Sequence, residues 1–197
     1  MMSSQSFKNK LPNIALIASM RSGKDTFYEI LEELGYSVYR LAFGNCMKDM
    51  FHVENPHVPR EPKPIELYQM YGTEKRSKDA NVFVNPTMSL LWFQKQLDKS
   101  HDRERTYVFT DVRQPNEYDA AVTQAGFIPV RIYASEETRI ARMIANGETV
   151  SQEILSAPTE RYLESFPVEH TISNDGTREE FKNEIIELIK RLTEEEN

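Results

Sequence analysis

The chain is short of cysteine, of glycine and of positive charge. Cys46 is its single cysteine in 197 residues, which leaves no intramolecular disulfide and fits a reducing cytoplasm. No activating context surrounds it, so Cys46 reads as a packed thiol rather than a nucleophile. Lys and Arg number 24 against 31 Asp and Glu, a formal net charge of −7. That balance argues against a broad nucleic-acid-binding surface, though a nucleotide ligand needs only a few local cations. No apolar run is long enough to span a bilayer and no secretory h-region is visible, so neither a membrane nor a targeting segment is expected. His52, His57, His101 and His170 show no metal-ligand spacing. There is no internal repeat. What remains is an ordinary balance, 39% hydrophobic and 28% charged, and a length that suits one domain spanning 1–197 with a substantial core.

One of only seven glycines lies in the most informative stretch, NIALIASMRSGKDTF from Asn13 to Phe27. An apolar run, Ile14 to Ala18, is followed by a small-residue turn, Ser19-Met20-Arg21-Ser22-Gly23, and then by Lys24-Asp25-Thr26 opening an amphipathic segment. Strand, tight loop and helix with a Lys at the helix start is the layout of a phosphate cradle. Amides at a helix N-terminus are unpaired and partly positive, and the Lys adds a mobile full charge. Against the pattern G-x-x-x-x-G-K-[ST], Ala18 replaces the first Gly and Asp25 the Mg²⁺-binding hydroxyl. A carboxylate beside phosphates needs a cation between them, so either Asp25 helps hold a metal or Thr26 takes the hydroxyl role.

Further along, Phe27, Ile30, Leu31 and Leu34 fall at helical spacing and Gly35 marks a stop. Ser37 to Phe43 predicts a second strand, and Cys46 to Phe51 a short helix. Four prolines between Asn55 and Pro64 make a stiff loop that introduces an insertion. Ile65 to Tyr71 reads as a helix ended by Gly72. Asn85-Pro86 reads as a helix start, with Leu90, Leu91, Trp92, Phe93 and Leu97 as its apolar face and Trp92 in the core. Strands follow at Tyr107 to Thr110, Phe127 to Tyr133 and His170 to Ser173, with helices over Glu136 to Ile144 and from Thr177 onward. The alternation predicts an α/β fold with a parallel five-stranded sheet flanked by helices, and ligands at the C-terminal strand ends, where Ser19, Phe43, Asp111 and Ser173 fall.

Asp111 follows an apolar strand, where a carboxylate that orients Mg²⁺ is expected, and Arg113 would project over the same edge. Taken singly, Asp111 could be a loop cap and Arg113 a solvated charge; the Gly-Lys loop upstream favours the site reading.

Five blocks in order then resemble the phage-type deoxynucleoside monophosphate kinases, within the adenylate-kinase-like P-loop NTPase group. RSGKDT (Arg21 to Thr26) is similar to that family's loop, including the Asp after the Lys. LAFGNCMKDM (Leu41 to Met50) resembles its second strand and basic helix. YGTEKRSKDANVFVN (Tyr71 to Asn85) resembles its monophosphate-binding part, and TDVRQPNE (Thr110 to Glu117) its Asp-x-Arg-x-x-Asn-Glu block. Ala157-Pro-Thr-Glu160 and Ile172-Ser-Asn-Asp-Gly-Thr177 resemble its late motifs. The loop is shared with animal-type phosphomevalonate kinases and does not decide between acceptors. Dephospho-coenzyme A kinases belong to the same group, and a nucleotide-binding regulator without turnover is the rival from another class.

The resemblance implies a P-loop NTPase three-layer sandwich with a core of about 11–54, 101–145 and 166–197, an acceptor-binding insertion of about 55–100 and a lid of about 146–165. It implies transfer of the ATP γ-phosphoryl to a (deoxy)nucleoside monophosphate with Mg²⁺, and leans toward a homodimer. Ser19, Met20, Arg21, Ser22, Gly23 and Lys24 are expected at the ATP phosphates, with Asp25, Thr26 and Asp111 organising the metal. Asn174, Gly176 and Thr177 fall where the family approaches adenine. Arg76 and Arg113, with Lys48 as a weaker third, are expected on the acceptor phosphate, alongside Phe43, Gly72, Thr73, Asp79, Phe83 and Asn85. Arg139 and Arg142, one helical turn apart, could close over the transferring group or form an exposed basic face.

Overall fold

The computed structural model describes residues 10–147 and 162–194. The chain runs β1 (Ile14–Ala18), α1 (Lys24–Glu33), β2 (Val38–Leu41), α2 (Phe43–Glu54), α3 (Ile65–Lys78), α4 (Val84–Ser100) and β3 (Thr106–Phe109). It continues with α5 (Pro115–Tyr118), which passes into a π-helical turn (Asp119–Gln124), then β4 (Ile128–Tyr133), α6 (Glu136–Ala145), β5 (His170–Ser173) and α7 (Arg178–Glu194). The strands form one parallel sheet in the order β2-β3-β1-β4-β5. The parallel five-stranded sheet with helices on both faces is as the alternation of apolar runs led one to expect. Among the described residues no helix is long and apolar enough to cross a membrane.

β1 is buried over its whole length, which is why it reads as an unbroken apolar run instead of an alternation. Its two faces feed two cores. Ile14 and Leu16 pack with Phe27, Ile30, Leu31, Phe181 and Ile185 under α1 and α7. Ala15 and Ile17 pack with Phe43, Leu91, Phe109 and Phe127 on the opposite face. A third, smaller cluster of Phe51, Tyr68, Tyr71 and Phe83 lies outside the sheet and holds α2, α3 and the start of α4 together. Its rings meet edge to face, with Phe51 at 5.2 Å from Tyr68 and 5.4 Å from Tyr71, the favourable arrangement for opposed quadrupoles.

Several local expectations are corrected. Gly72 does not end a helix: α3 runs on to Lys78, because a lone glycine costs only about 1 kcal/mol in a helix and packing can override it. β2 stops at Leu41, and Phe43 opens α2, which extends to Glu54. α4 begins at Val84, after Phe83, so Asn85 lies within the first turn. No element is expected from the sequence at residues 115–124, where α5 and the π turn form. The largest correction is on α4. Leu90, Trp92 and Phe93 are exposed, Trp92 at 65%, while the inward face is Val84, Thr87, Leu91, Gln94 and Asp98.

Helical phase follows that mixed set because Asp98 is fully served. Its carboxylate accepts from the Tyr107 hydroxyl at 2.7 Å and the Gln94 amide at 3.3 Å, and Arg103 pairs with it at 3.1 Å. A buried charge is tolerated when its lone pairs are used. Asp98→Ala is expected to lower stability by about 2 kcal/mol, since it strands the Tyr107 hydroxyl and the guanidiniums of Arg103 and of Arg105, the latter 3.7 Å from the carboxylate. A urea midpoint equal to that of the parent chain would refute this reading of α4.

Candidate active site

The C-terminal strand edge carries the loop between β1 and α1. Two residues there hold left-handed backbone, Arg21 at φ 64° and Gly23 at φ 105°. Gly23 also faces a neighbour: a Cβ on it would lie 2.0 Å from Nδ2 of Asn174, so both conformation and space require glycine. The loop is braced from behind. Asn174 Nδ2 donates to the Ser22 carbonyl at 2.8 Å. Arg142 donates to the Arg21 carbonyl at 3.1 Å, to the Asn174 carbonyl at 2.8 Å and to Asn174 Oδ1 at 3.2 Å. The Ser22 hydroxyl closes the turn onto the Ser19 carbonyl at 2.8 Å. No side chain caps the N-terminus of α1, which leaves its first amides for an anion.

In front of the loop opens a cleft of about 930 Å³. Among the described residues, nine Lys and Arg line it against three acids, Asp25, Asp111 and Glu117, although the whole chain carries −7. Such a concentration of one sign raises the local concentration of anionic ligands. Met20, Arg21, Gly23, Lys24, Asp25 and Thr26 come from the loop and α1; Lys48 of α2, Arg76 of α3, and Asp111 and Arg113 of the loop after β3 line the same cleft. The expected ATP-side and acceptor-side cations thus share one cleft.

The Lys24 ammonium is held below its ordinary pKa, chiefly by burial and next by the Arg113 charge, with Asp25 and Asp111 pulling the other way. Lys48 is lowered by burial in the same manner. For Asp25, burial works to raise the carboxyl, and the Lys24 and Arg40 cations more than offset it, so the net direction is down. Arg40 pairs with Asp25 directly and donates to the Thr110 hydroxyl at 3.1 Å. Asp111 accepts from the Phe43 and Gly44 amides, both at 2.8 Å, and so caps α2.

Glu117 is the group that sequence reasoning left without a role. It is 3% exposed, accepts from the Arg113 and Gln114 amides at 2.9 and 3.0 Å, and lies 3.9 Å from Arg76. Burial, and then the Asp111 charge, push its carboxyl up to about 7, against the pull of the two amides and Arg76.

Other expected residues lie elsewhere. Phe43 is buried, stacked on Phe109 at 4.8 Å; its ring belongs to the core. Phe83 is buried in the third cluster and backs Arg76, whose guanidinium sits 5.0 Å above its ring. Gly72 is buried beneath Arg76, while Thr73, Asp79 and Asn85 are exposed outside the cleft. Ser19 and Ser22 form the back of the loop turn rather than the cleft lining. Thr177 makes a reciprocal capping box with Glu180 at the start of α7, its amide donating at 2.7 Å and its hydroxyl accepting at 3.2 Å; Gly176 does line the cleft. Arg139 is not among the cleft residues, and Arg142, which is, spends its donors on the loop. The lid expected at about 146–165 and the block Ala157 to Glu160 fall largely or wholly outside the described residues. Arg40 was missed although an arginine inside the apolar run SVYRLAF is a visible signal.

Among the described residues no group of three or more His, Cys, Asp or Glu side chains is placed to hold a metal ion. A Mg²⁺ that arrives with phosphates needs fewer, because it keeps several waters and one or two carboxylates suffice.

The braced loop at the C-terminal edge of a parallel sheet is the layout of the α/β P-loop NTPases, and the solved structures bear out that fold. The chain is similar to TT1252 from Thermus thermophilus, with a TM-score of 0.59 at 16% identity over 93% of this chain and 99% of that one. It is also similar to the dephospho-CoA kinase from Campylobacter jejuni, with a TM-score of 0.51 at 15% identity over 94% and 98%. At these identities the likeness is one of fold. No protein-family model matches the chain, and no curated protein matches it in sequence.

Glu117 carries a pH signature. A carboxyl raised from 4.5 to about 7 on folding makes the native state hold the extra proton between those values. Stability therefore falls as pH rises through that window, by on the order of 3 kcal/mol. Urea midpoints at pH 5 and pH 8 should separate less for Glu117→Gln than for the parent chain. Equal separations would show that Glu117 does not titrate there.

Proposed function

We propose that this chain transfers the γ-phosphoryl group of ATP to a nucleoside monophosphate, a deoxynucleoside monophosphate above all, yielding ADP and the diphosphate. The observation that carries the proposal is the shared cleft, which Lys24 at an uncapped helix N-terminus lines together with Arg76 and Arg113. Phosphoryl transfer asks a protein for positioning and charge neutralisation, and little covalent chemistry. In this reading the loop from Ser19 to Gly23 and Lys24 hold the β- and γ-phosphates. Lys24 follows the moving phosphoryl group. Gly176 and the Asn174 backbone border the nucleoside end. Arg76 and Arg113 grip the acceptor phosphate through guanidinium forks, with Lys48 adding charge. Arg142 and Asn174 act through the loop, as its braces, and not on the phosphates.

Mg²⁺ fits this donor set: Thr26 supplies a hydroxyl in the cleft, and Asp25 and Asp111 supply carboxylates that keep free lone pairs beside their present partners. Bound there with ATP, the ion would neutralise charge on the phosphate tail. Residues 55–100 form the acceptor side; the protein would act in the cytoplasm.

A second acceptor class follows from the cleft wall. Met47, Ile65 and Tyr68 give the acceptor side an apolar flank, and the fold is shared with a dephospho-CoA kinase. The test is ADP release from ATP and Mg²⁺ with each deoxynucleoside monophosphate, phosphomevalonate and dephospho-coenzyme A. Turnover with one or more deoxynucleotides is expected. Turnover with only another acceptor would reassign the substrate, and ATP binding with no turnover would point to a regulator. Lys24→Ala should slow transfer by on the order of 100-fold or more with the fold retained; near-parent rates would remove Lys24 from the mechanism.

A further inference from the structure

Glu117 sits where an acid looks out of place. It borders a subsite that, in the reading above, receives a phosphate, and a carboxylate there repels the ligand. Its role in the α5 capping box explains part of the arrangement: Oε2 accepts the Arg113 and Gln114 amides. A cap of that kind works equally well on the surface. It does not explain why the side chain is 5% exposed, or why Oε1 is turned to Arg76 at 3.9 Å. That separation makes the contact with Arg76 one of charge and not a hydrogen bond.

Arg76 is confined on two further sides. Its guanidinium lies 5.0 Å above the Phe83 ring, and Nη1 fills the space over Gly72, where an added Cβ would approach it to 3.0 Å. Gly72 in the middle of α3 thus leaves room for this guanidinium, which a Cβ would push by a few tenths of an ångström. Ring, notch and carboxylate hold a long side chain that otherwise has many rotamers to lose on binding. The same carboxylate grips the main chain at Arg113. One buried acid therefore joins α3 of the insertion to the loop after β3 of the sheet.

We propose that Glu117 is a positioning residue that sets Arg76 and the Arg113 main chain in one frame before the acceptor phosphate arrives. The inference rests on the acceptor role given to those arginines above. An arginine fixed beforehand binds at lower entropic cost, so Glu117 should act on acceptor binding and leave ATP binding alone.

Glu117→Gln, compared with the parent chain at pH 8 where the carboxyl is ionised, is the informative change, since a glutamine can keep accepting the two amides while giving up the charge. The KM for the accepted deoxynucleotide should rise about tenfold and the KM for ATP by less than about twofold. In an Arg76→Ala background the same change should add less than about twofold, because its target is gone. A second readout needs no turnover: the ¹⁵Nε signal of Arg76, assigned by its loss in Arg76→Lys, should be sharp in the parent chain and averaged in Glu117→Gln. Equal effects on both KM values, an additive effect with Arg76→Ala, or an unchanged Arg76 signal would each overturn the proposal. Should the parent chain phosphorylate no acceptor, the kinase reading fails on its own, and the Arg76 signal still decides whether Glu117 holds that side chain.

Discussion

The site depends on how the chain turns from β1 into α1. Gly23 takes a backbone that disfavours side chains, and it does so in contact with Asn174. Asn174 comes from the end of β5, and Arg142 from α6, so two distant segments must be in place before the Arg21 and Ser22 carbonyls are held. Once those carbonyls are fixed from behind, the α1 N-terminus can present its amides without reorganising for each ligand. Preorganised dipoles of this kind are effective because the folded chain has already met the cost of aligning them.

Electrostatics in the cleft follow from what surrounds it. A chain with a net charge of −7 concentrates nine of its described basic residues along one opening, and self-repulsion there is relieved by Asp25, Asp111 and Glu117, each with separate partners. Asp25 serves Arg40, Asp111 serves the amides of α2, and Glu117 serves the Arg113 loop. Each acid is placed to shape a cation or a loop, which leaves the larger share of positive charge facing the opening. Burial lowers Lys24 and Lys48, consistent with cations held back from water until a ligand supplies the counter-charge.

Much of the framework was legible because it depends on local pattern. Fully buried strands such as Ile14–Ala18 appear as apolar runs, and Gly-Lys at the head of an amphipathic segment marks the cradle. Misreadings arose where packing outranks pattern. Trp92 and Phe93 look like core residues, yet α4 turns Gln94 and Asp98 inward because Tyr107 and Arg103 wait for them, and those partners belong to the following strand and its approach. Gly72 looked like a stop, and only the position of Arg76 gives it another purpose. Arg142 suggested chemistry by its spacing from Arg139, whereas its donors are spent on carbonyls more than 30 residues away in either direction. Glu117 lies inside a block that resembles a family motif and still gives no sign of its contact with Arg76, because that residue comes from a separate helix.

The central claim is that the turn from residue 19 to residue 26 is where the triphosphate binds. Amide hydrogen exchange measured with and without ATP and Mg²⁺ tests it most directly. The account predicts slowed exchange across that turn and the first residues of α1. ATP binding that leaves those amides unchanged while protecting another segment would contradict it.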